Sequence, residues 1–248
     1  MSSNTPRQPV RDLRFFLTVP HACSYLPEKE ATTLFLDPKE SPGPSVYDAL
    51  TLLGFRRSGL HLYRPHCEGC HACVSVRIPV AEFRPNRSQK RLMRRNADLT
   101  VDVVPARFDS SHYDLYARYI CTRHHDGDMF PPSHEQYRTF LSLDQPYARL
   151  LEMRLDDRLV AVSAFDELGH GLSAIYTFFD PEQSLERRSL GTQAVLTLIQ
   201  MASAKGLDHV YLGYWIEACR KMSYKSNFTP LERLDGRLWR RLVPTEHG

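Results

Sequence analysis

Residues 150–179, LLEMRLDDRLVAVSAFDELGHGLSAIYTFF, hold three apolar runs separated by two breaks. Leu150 to Leu155, Arg158 to Phe165 and Leu172 to Phe179 are rich in the branched and aromatic residues that suit strands. Asp156-Asp157 is a two-residue hairpin link, and Gly169 with Gly171 marks the second turn. Strands joined this tightly pair antiparallel, so the stretch predicts a meander. Downstream, a helical pattern runs from about Glu186 to Lys205, ended by Gly206, and His209 to Tyr214 reads as a returning strand. Upstream, Tyr113, Tyr116, Ala117 and Ile120 form a helical stripe within Ser111 to His125. Ser133 with Gln136 has the form of a capping box that opens a helix to Leu143. Two helices, a meander, a long helix and a last strand predict an α+β domain over residues 99–248, with helices packed on a mostly antiparallel sheet.

Residues 1–98 read as a smaller α+β region that carries most of the cysteines. Asp37 to Pro44 is a Pro-, Gly- and Ser-dense loop, and Ser45 to Phe55 places Val46, Leu50 and Leu53 at helical spacing. Gly59 to Tyr63 alternates, as does Val74 to Val80, where Pro79 favours an edge position. Arg87 to Asn96 reads as a polar helix and Leu99 to Val104 as a strand.

The 248 residues are 42% hydrophobic and 25% charged, the composition of a folded globular chain. The longest apolar runs, such as Ala194 to Ile199, fall far short of the roughly 20 residues of a membrane helix. Met1 to Val10 is polar and Phe15-Phe16-Leu17 is too short for a signal-peptide core, so the expected location is the cytoplasm, with no membrane partner. In that compartment six cysteines read as thiols or metal ligands rather than disulfides.

His66-Cys67-Glu68-Gly69-Cys70-His71-Ala72-Cys73 contains two overlapping Cys-x-x-Cys units, a spacing that can bring thiolates onto one Zn ion or Fe-S cluster. Cys23 is the candidate fourth ligand beside Cys67, Cys70 and Cys73, with His66 or His71 next. Reduced, simply packed cysteines are the competing reading. Arg84, Arg87, Lys90, Arg91, Arg94 and Arg95 place six cations in twelve residues, with no acidic residue before Asp98. Such a face is suited to tracking phosphates of structured RNA or DNA. Arg187-Arg188-Ser189-Leu190-Gly191-Thr192 opens a long helix whose free N–H groups can receive a phosphate or an acyl oxygen, and it resembles the Arg-x-x-Gly-x-Gly/Ala loop of the GNAT acyltransferases. Gln193 stands where that loop has Gly or Ala. Arg123 to Met129 is dense in ionisable groups, and its histidines suit general-base or carboxylate-binding work. Tyr211 to Lys225 interleaves aromatics, a carboxylate and cations beyond a strand.

At His21 to Pro27, at Tyr63 through Cys67 with Cys70 and Cys73, at Arg77 to Val80 with Phe83, at Pro85 to Arg91 with Arg95-Asn96, and at Tyr211 to Lys225, the chain resembles the arginyl-tRNA protein transferase family. The likeness is strongest to its bacterial branch, the aspartate/glutamate leucyltransferases. The resemblance implies a GNAT-like domain over 99–248 that moves leucine, or alternatively arginine, from its tRNA to the α-amine of a protein beginning with Asp or Glu. It thereby creates an N-degron, a mark for degradation. An aminoacyl ester is already activated, so no cofactor is required for the chemistry, and a Zn or Fe-S site at the cysteines would stand apart from it. On this reading Arg87, Lys90, Arg91, Arg94, Arg95, Arg188 and Gly191 face the tRNA. Arg123 and Lys225 pair with the acceptor's acidic side chain, and His124, His125, Glu217 or solvent accepts the proton. A non-enzymatic Zn-ribbon RNA-binding protein and a CoA-dependent acetyltransferase are the readings from other classes.

Overall fold

A computed structural model describes residues 12–40 and 42–242; the polar stretch from Met1 to Val10 lies outside them. The first elements are short: β1 Phe15–Leu17, β2 His21–Ala22, β3 Glu30–Ala31 and β4 Thr33–Leu36. Helix α1 is Pro44–Leu52, with Pro at the first helical position where its missing N–H costs nothing. Strands β5 Arg56–Ser58, β6 His61–Pro65 and β7 Val74–Pro79 follow, then α2 Arg87–Arg95 and β8 Thr100–Pro105. Next come α3 Ser110–Arg123, α4 His134–Leu141, and the meander β9 Ala148–Leu155, β10 Arg158–Leu168 and β11 Gly171–Phe179. The chain continues through α5 Leu190–Ala204, β12 His209–Trp215, β13 Glu232–Asp235 and β14 Leu238–Arg241. Three 3-10 segments, Val80–Glu82, Gln183–Arg188 and Arg220–Asn227, connect them.

The main sheet has eight strands in the order β14-β13-β7-β12-β11-β10-β9-β8. All its pairings are antiparallel except β11 with β12. The α+β expectation of a mostly antiparallel sheet with packed helices therefore holds. Alternation along the strands divides the apolar residues between two faces. Leu151, Met153 and Leu172 pack with Leu190, Ala194 and Leu198 of α5. Leu150, Val162, Ala164 and Phe178 pack with Leu115, Tyr116 and Ile120 of α3 and with Tyr137 and Leu141 of α4. A second sheet, β1-β4-β6-β5, and α1 share a third apolar cluster that includes Leu36, Tyr47, Leu62 and Tyr211.

Four expectations need correction. Strand β7 is central rather than at an edge, because Pro79 is its last residue and the N–H of Val80 takes up the bond to Asp208 O at 2.9 Å. The boundary at 98/99 cuts this sheet: β7 lies between β12 and β13, both from the far end of the chain, and Val76 and Ile78 are fully buried there. The helix read from Glu186 to Lys205 is also two pieces. Ser189, in the left-handed region at φ 42°, separates Gln183–Arg188 from α5. The Asp156-Asp157 link has φ of 48° and 63°, as a tight hairpin turn demands. The capping box at Ser133 is half formed: its Oγ accepts from Gln136 N, whereas Gln136 Oε1 instead accepts from Tyr116 Oη.

Gly171 opens β11 opposite His209. A Cβ there would stand 2.3 Å from His209 O. Gly171→Ala is thus expected to force β11 and β12 apart at cost of about 1–3 kcal/mol, read from the urea midpoint at constant m-value. An unchanged midpoint would show that the strands yield freely.

Candidate functional site

Strands β11 and β12 pair over three positions, Gly171–Ser173 with His209–Tyr211, and then part. Beyond that point β11 stays with β10 and β12 stays with β7, so a wedge opens between the parallel strands. The first turn of α5 stands at the wedge. A Cβ on Gly191 would lie 3.5 Å from the Phe179 ring, so the backbone of α5 closes on the end of β11. Helix α5 has no side-chain cap, which leaves its first N–H groups available to an acceptor oxygen.

Helix α2 sits beside α5. Asn86 and Gln89 form a capping box at its start, and Gln89 Nε2 donates to Asn227 O at 3.0 Å. Arg87, Lys90, Arg91, Arg94 and Arg95 are all exposed. Arg95 also donates to Arg187 O at 2.5 Å. A polar cavity of about 490 Å³ lies between the two helices, lined among others by Arg91, Arg95, Ser189, Thr192 and Asn227. Arg188, read from the sequence as facing the tRNA, is ion-paired. Its guanidinium makes two 2.8 Å bonds to Asp98, one from each Nη, so that charge is already matched. It holds the start of the 3-10-to-α5 junction against the end of α2. Asn96 completes the joint by donating to Arg188 O and to Gln193 Oε1.

On the opposite side of the Arg220–Asn227 segment, three loops meet. Lys221 Nζ is 4.0 Å from Asp126 of the loop after α3. The Tyr25 hydroxyl is raised above its ordinary pKa by burial, then by Cys73, Cys219, Cys23 and Asp128, which places the first loop in the same neighbourhood. A cavity of about 700 Å³ opens there, with Tyr25, Tyr63, Tyr214 and the four candidate metal-ligand cysteines on its wall. Among the described residues no three His, Cys, Asp or Glu side chains are arranged to hold a metal ion. Burial first, and the other cysteines second, push the Cys73 thiol up to about 11. Cys67 Sγ is turned to Thr32 O at 3.7 Å. The expected Zn or Fe-S site at Cys23, Cys67, Cys70 and Cys73 is thus not supported: the four cysteines stand around a cavity and are not gathered on one point.

The titratable candidates separate by environment. His124 caps the end of α3, half-buried, with Nε2 3.1 Å from Tyr119 Oη. Burial, followed by the Lys221 charge, lowers its pKa despite Asp126, so the imidazole is held neutral. His125 and Glu217 are exposed. Arg123 is exposed and reaches Glu186 at 4.0 Å. Lys225 is 8% exposed, and its Nζ donates to Tyr214 O at 2.5 Å. Burial and then Arg56 push it down to about 8, with Cys219 opposing.

That shift has a measurable consequence. Below about pH 8 Lys225 is charged in both folded and unfolded chains, and the full cost of burying the charge is present. Between about 8 and its unfolded value of 10.5 only the unfolded chain holds the proton, so folding stability rises with pH. The unfolding free energy of the protein minus that of Lys225→Met is expected to climb across this window and level off above it. A flat difference would contradict the buried charge.

Residues 21–91 match the family model for the N terminus, and residues 111–235 the model for the C terminus, of arginine-tRNA-protein transferase. The chain belongs to the arginine-tRNA-protein transferase family. One relative of this transferase, an aspartate/glutamate leucyltransferase of Chromohalobacter salexigens, is 69% identical over 98% of this chain and 99% of its own. Aspartate/glutamate leucyltransferases of Pseudomonas fluorescens and Marinobacter nauticus are 56% and 55% identical, over 92% and 94% of this chain and 96% and 98% of their own. Among solved structures, L-PGS from Bacillus licheniformis overlaps 68% of the transferase and 58% of its own chain, at 12% identity and a TM-score of 0.46. Among the described residues no helix is long and apolar enough to cross a membrane.

Arg56 is the residue in this region that could not be selected from residue type and spacing alone. It follows an apolar helix end and is indistinguishable by type from its neighbour Arg57. Only the fold reveals that both are buried and that Arg57 is paired with Asp166 while Arg56 turns to backbone carbonyls.

Proposed function

We propose that the protein transfers leucine from leucyl-tRNA to the N-terminal α-amine of proteins that begin with Asp or Glu, marking them for degradation in the cytoplasm. The 69% identity to an aspartate/glutamate leucyltransferase over nearly both full lengths carries this reading. The parted β11 and β12 strands, with the uncapped start of α5 at the opening, support a GNAT-like transferase arrangement.

On this reading the tRNA lies along the exposed face of α2, where Arg87, Lys90, Arg91 and Arg94 meet phosphates. Arg95 borders the 490 Å³ cavity through which the aminoacylated end approaches Gly191. Its first contribution is proximity: ester and amine are held together in one wedge. The α-amine, with an ordinary pKa near 8, loses a proton and attacks the ester carbonyl. A C–N bond forms, negative charge passes to the carbonyl oxygen near the α5 N–H groups, and the C–O bond to the tRNA ribose breaks. The ribose oxygen leaves with a proton. His124, held neutral, is the preferred proton acceptor over the exposed His125 and Glu217, while Lys225 and Arg123 draw the acceptor's carboxylate. The reaction needs neither a metal nor a covalent enzyme intermediate.

Labelled leucyl-tRNA and arginyl-tRNA, each incubated with reporter peptides beginning with Asp, Glu, Arg or Ala, test the proposal. Label is expected in the Asp- and Glu-first peptides from leucyl-tRNA alone. Transfer from arginyl-tRNA would change the donor, and no transfer in any combination would favour an RNA-binding protein without this activity.

A further inference from the structure

Arg56 and Arg57 stand side by side on β5, each 4% exposed. Arg57 has a counter-ion: its Nε and Nη2 donate to Asp166 at 2.6 and 2.9 Å. Among the described residues Arg56 has no carboxylate contact and, at its buried Nε and Nη2, no hydrogen-bond partner. Its Nη1 donates to Thr51 O and Phe55 O, at the C-terminal end of α1. Its guanidinium carbon lies 5.1 Å from the centre of the Tyr211 ring, and Tyr63 faces it across the β5–β6 pair. Capping a helix and stacking on a ring occupy one nitrogen and one face. They leave two donors and the whole charge unanswered, a costly arrangement in a poorly screened interior.

Lys225 is a second buried cation, and Tyr214 links the two. Tyr214 O accepts from Lys225 Nζ, and its hydroxyl donates to Gly54 O at 2.8 Å and Tyr63 O at 3.1 Å. Arg56 stands close enough to disfavour the Lys225 ammonium. Two mutually repelling cations without a carboxylate between them form a site ready for an anion. Tyr63 and Tyr214, the latter bonded to Lys225, line the 700 Å³ cavity, whose wall includes neither cation.

We propose that Arg56 and Lys225 together select the acidic first residue of the acceptor, Lys225 pairing with its carboxylate and Arg56 acting from behind Tyr214 as a positioning charge that touches no substrate. This rests on the acidic-acceptor reading above. The fields of the two cations add at the carboxylate, whereas a neutral Asn or Gln side chain gains almost nothing from them.

Arg56→Met and Arg56→Lys separate charge from capping. Arg56→Met is expected to raise KM for Asp-first and Glu-first peptides about tenfold, the scale of one weakly screened charge a few ångströms away. The kcat, the KM for leucyl-tRNA and the weak use of an Asn-first peptide should stay as they were. Arg56→Lys should restore KM to within about threefold of the original, since it keeps the charge and loses the guanidinium fork. Equal losses on acidic and neutral acceptors, a lysine variant as poor as the methionine one, or no change in either would overturn the proposal. A measurement on the unaltered protein covers the case in which Arg56→Met fails to fold. Asp-Ala dipeptide should protect Lys225 from amine acylation and Asn-Ala should not; equal protection, or none, overturns it as well. Absence of leucyl transfer by the unaltered protein would instead count against the functional reading itself, so the two failures are distinguishable.

Discussion

Replacement of Asp166 by alanine is expected to destabilise the protein by about 3–5 kcal/mol, the cost of stranding a buried ion-pair partner. Asp166 is fully buried and answers two residues at once. It accepts from Arg57 Nε and Nη2 and from Tyr47 Oη at 2.7 Å. Arg57 lies on β5 and Tyr47 on α1, whereas Asp166 belongs to β10 of the main sheet. The bonds therefore fasten the four-stranded sheet and its helix to the eight-stranded one. Without the carboxylate, the Arg57 guanidinium remains buried with one backbone acceptor, Gly59 O. Urea denaturation of Asp166→Ala, Arg57→Leu and the double variant gives the test. The double variant should be more stable than Asp166→Ala, because it removes the stranded charge as well. A loss below about 1 kcal/mol in Asp166→Ala would contradict the role assigned to the pair.

Joint replacement of Arg87, Lys90, Arg91 and Arg94 by alanine should act on binding and leave the fold intact. All four are exposed, and α2 is held by its capping box and by Gln89 instead. The KM for aminoacyl-tRNA is expected to rise on the order of 100-fold near physiological salt, and the log–log salt slope to fall by about 3, as four phosphate contacts are lost. Thermal unfolding should scarcely move. An unchanged salt slope would remove α2 from the tRNA-binding surface. Arg95 and Arg188 are left out of the set because both also join α2 to the start of α5, so their loss would mix binding with structure.

The meander was legible because each strand carries its own apolar run and its own turn: the Asp156-Asp157 link has the positive φ of a tight hairpin, and Gly171 sits where a Cβ would meet the His209 carbonyl. Strands β1 to β4, β13 and β14 were not. Each is two to four residues long, too short to establish a period, and depends on neighbours distant in sequence. Pro79 pointed to an edge because a proline inside a central strand loses a bond; nothing local reveals that the strand ends on it. At the site, charge type was readable and pairing was not. Arg188 and Arg94 look alike in sequence, yet one is committed to Asp98 and the other faces outward. Lys225 could be picked out by its place among aromatics, whereas Arg56 acquires significance only from Tyr63, Tyr211 and Tyr214, brought in by two other strands. The cysteines marked the family faithfully, and in the fold they line the wall of the 700 Å³ cavity.

Strand β7 also dictates the order in which this chain can mature. Its neighbours on both sides, β12 and β13, are synthesised more than a hundred residues later. Until they leave the ribosome, β7 has two unsatisfied edges and an apolar surface seeking a partner. The meander can form early from local contacts, but the large sheet closes only when the C-terminal strands arrive, a late long-range step of the kind that slows folding. Fragments split at residue 98 should therefore aggregate when expressed separately and recover solubility when produced together.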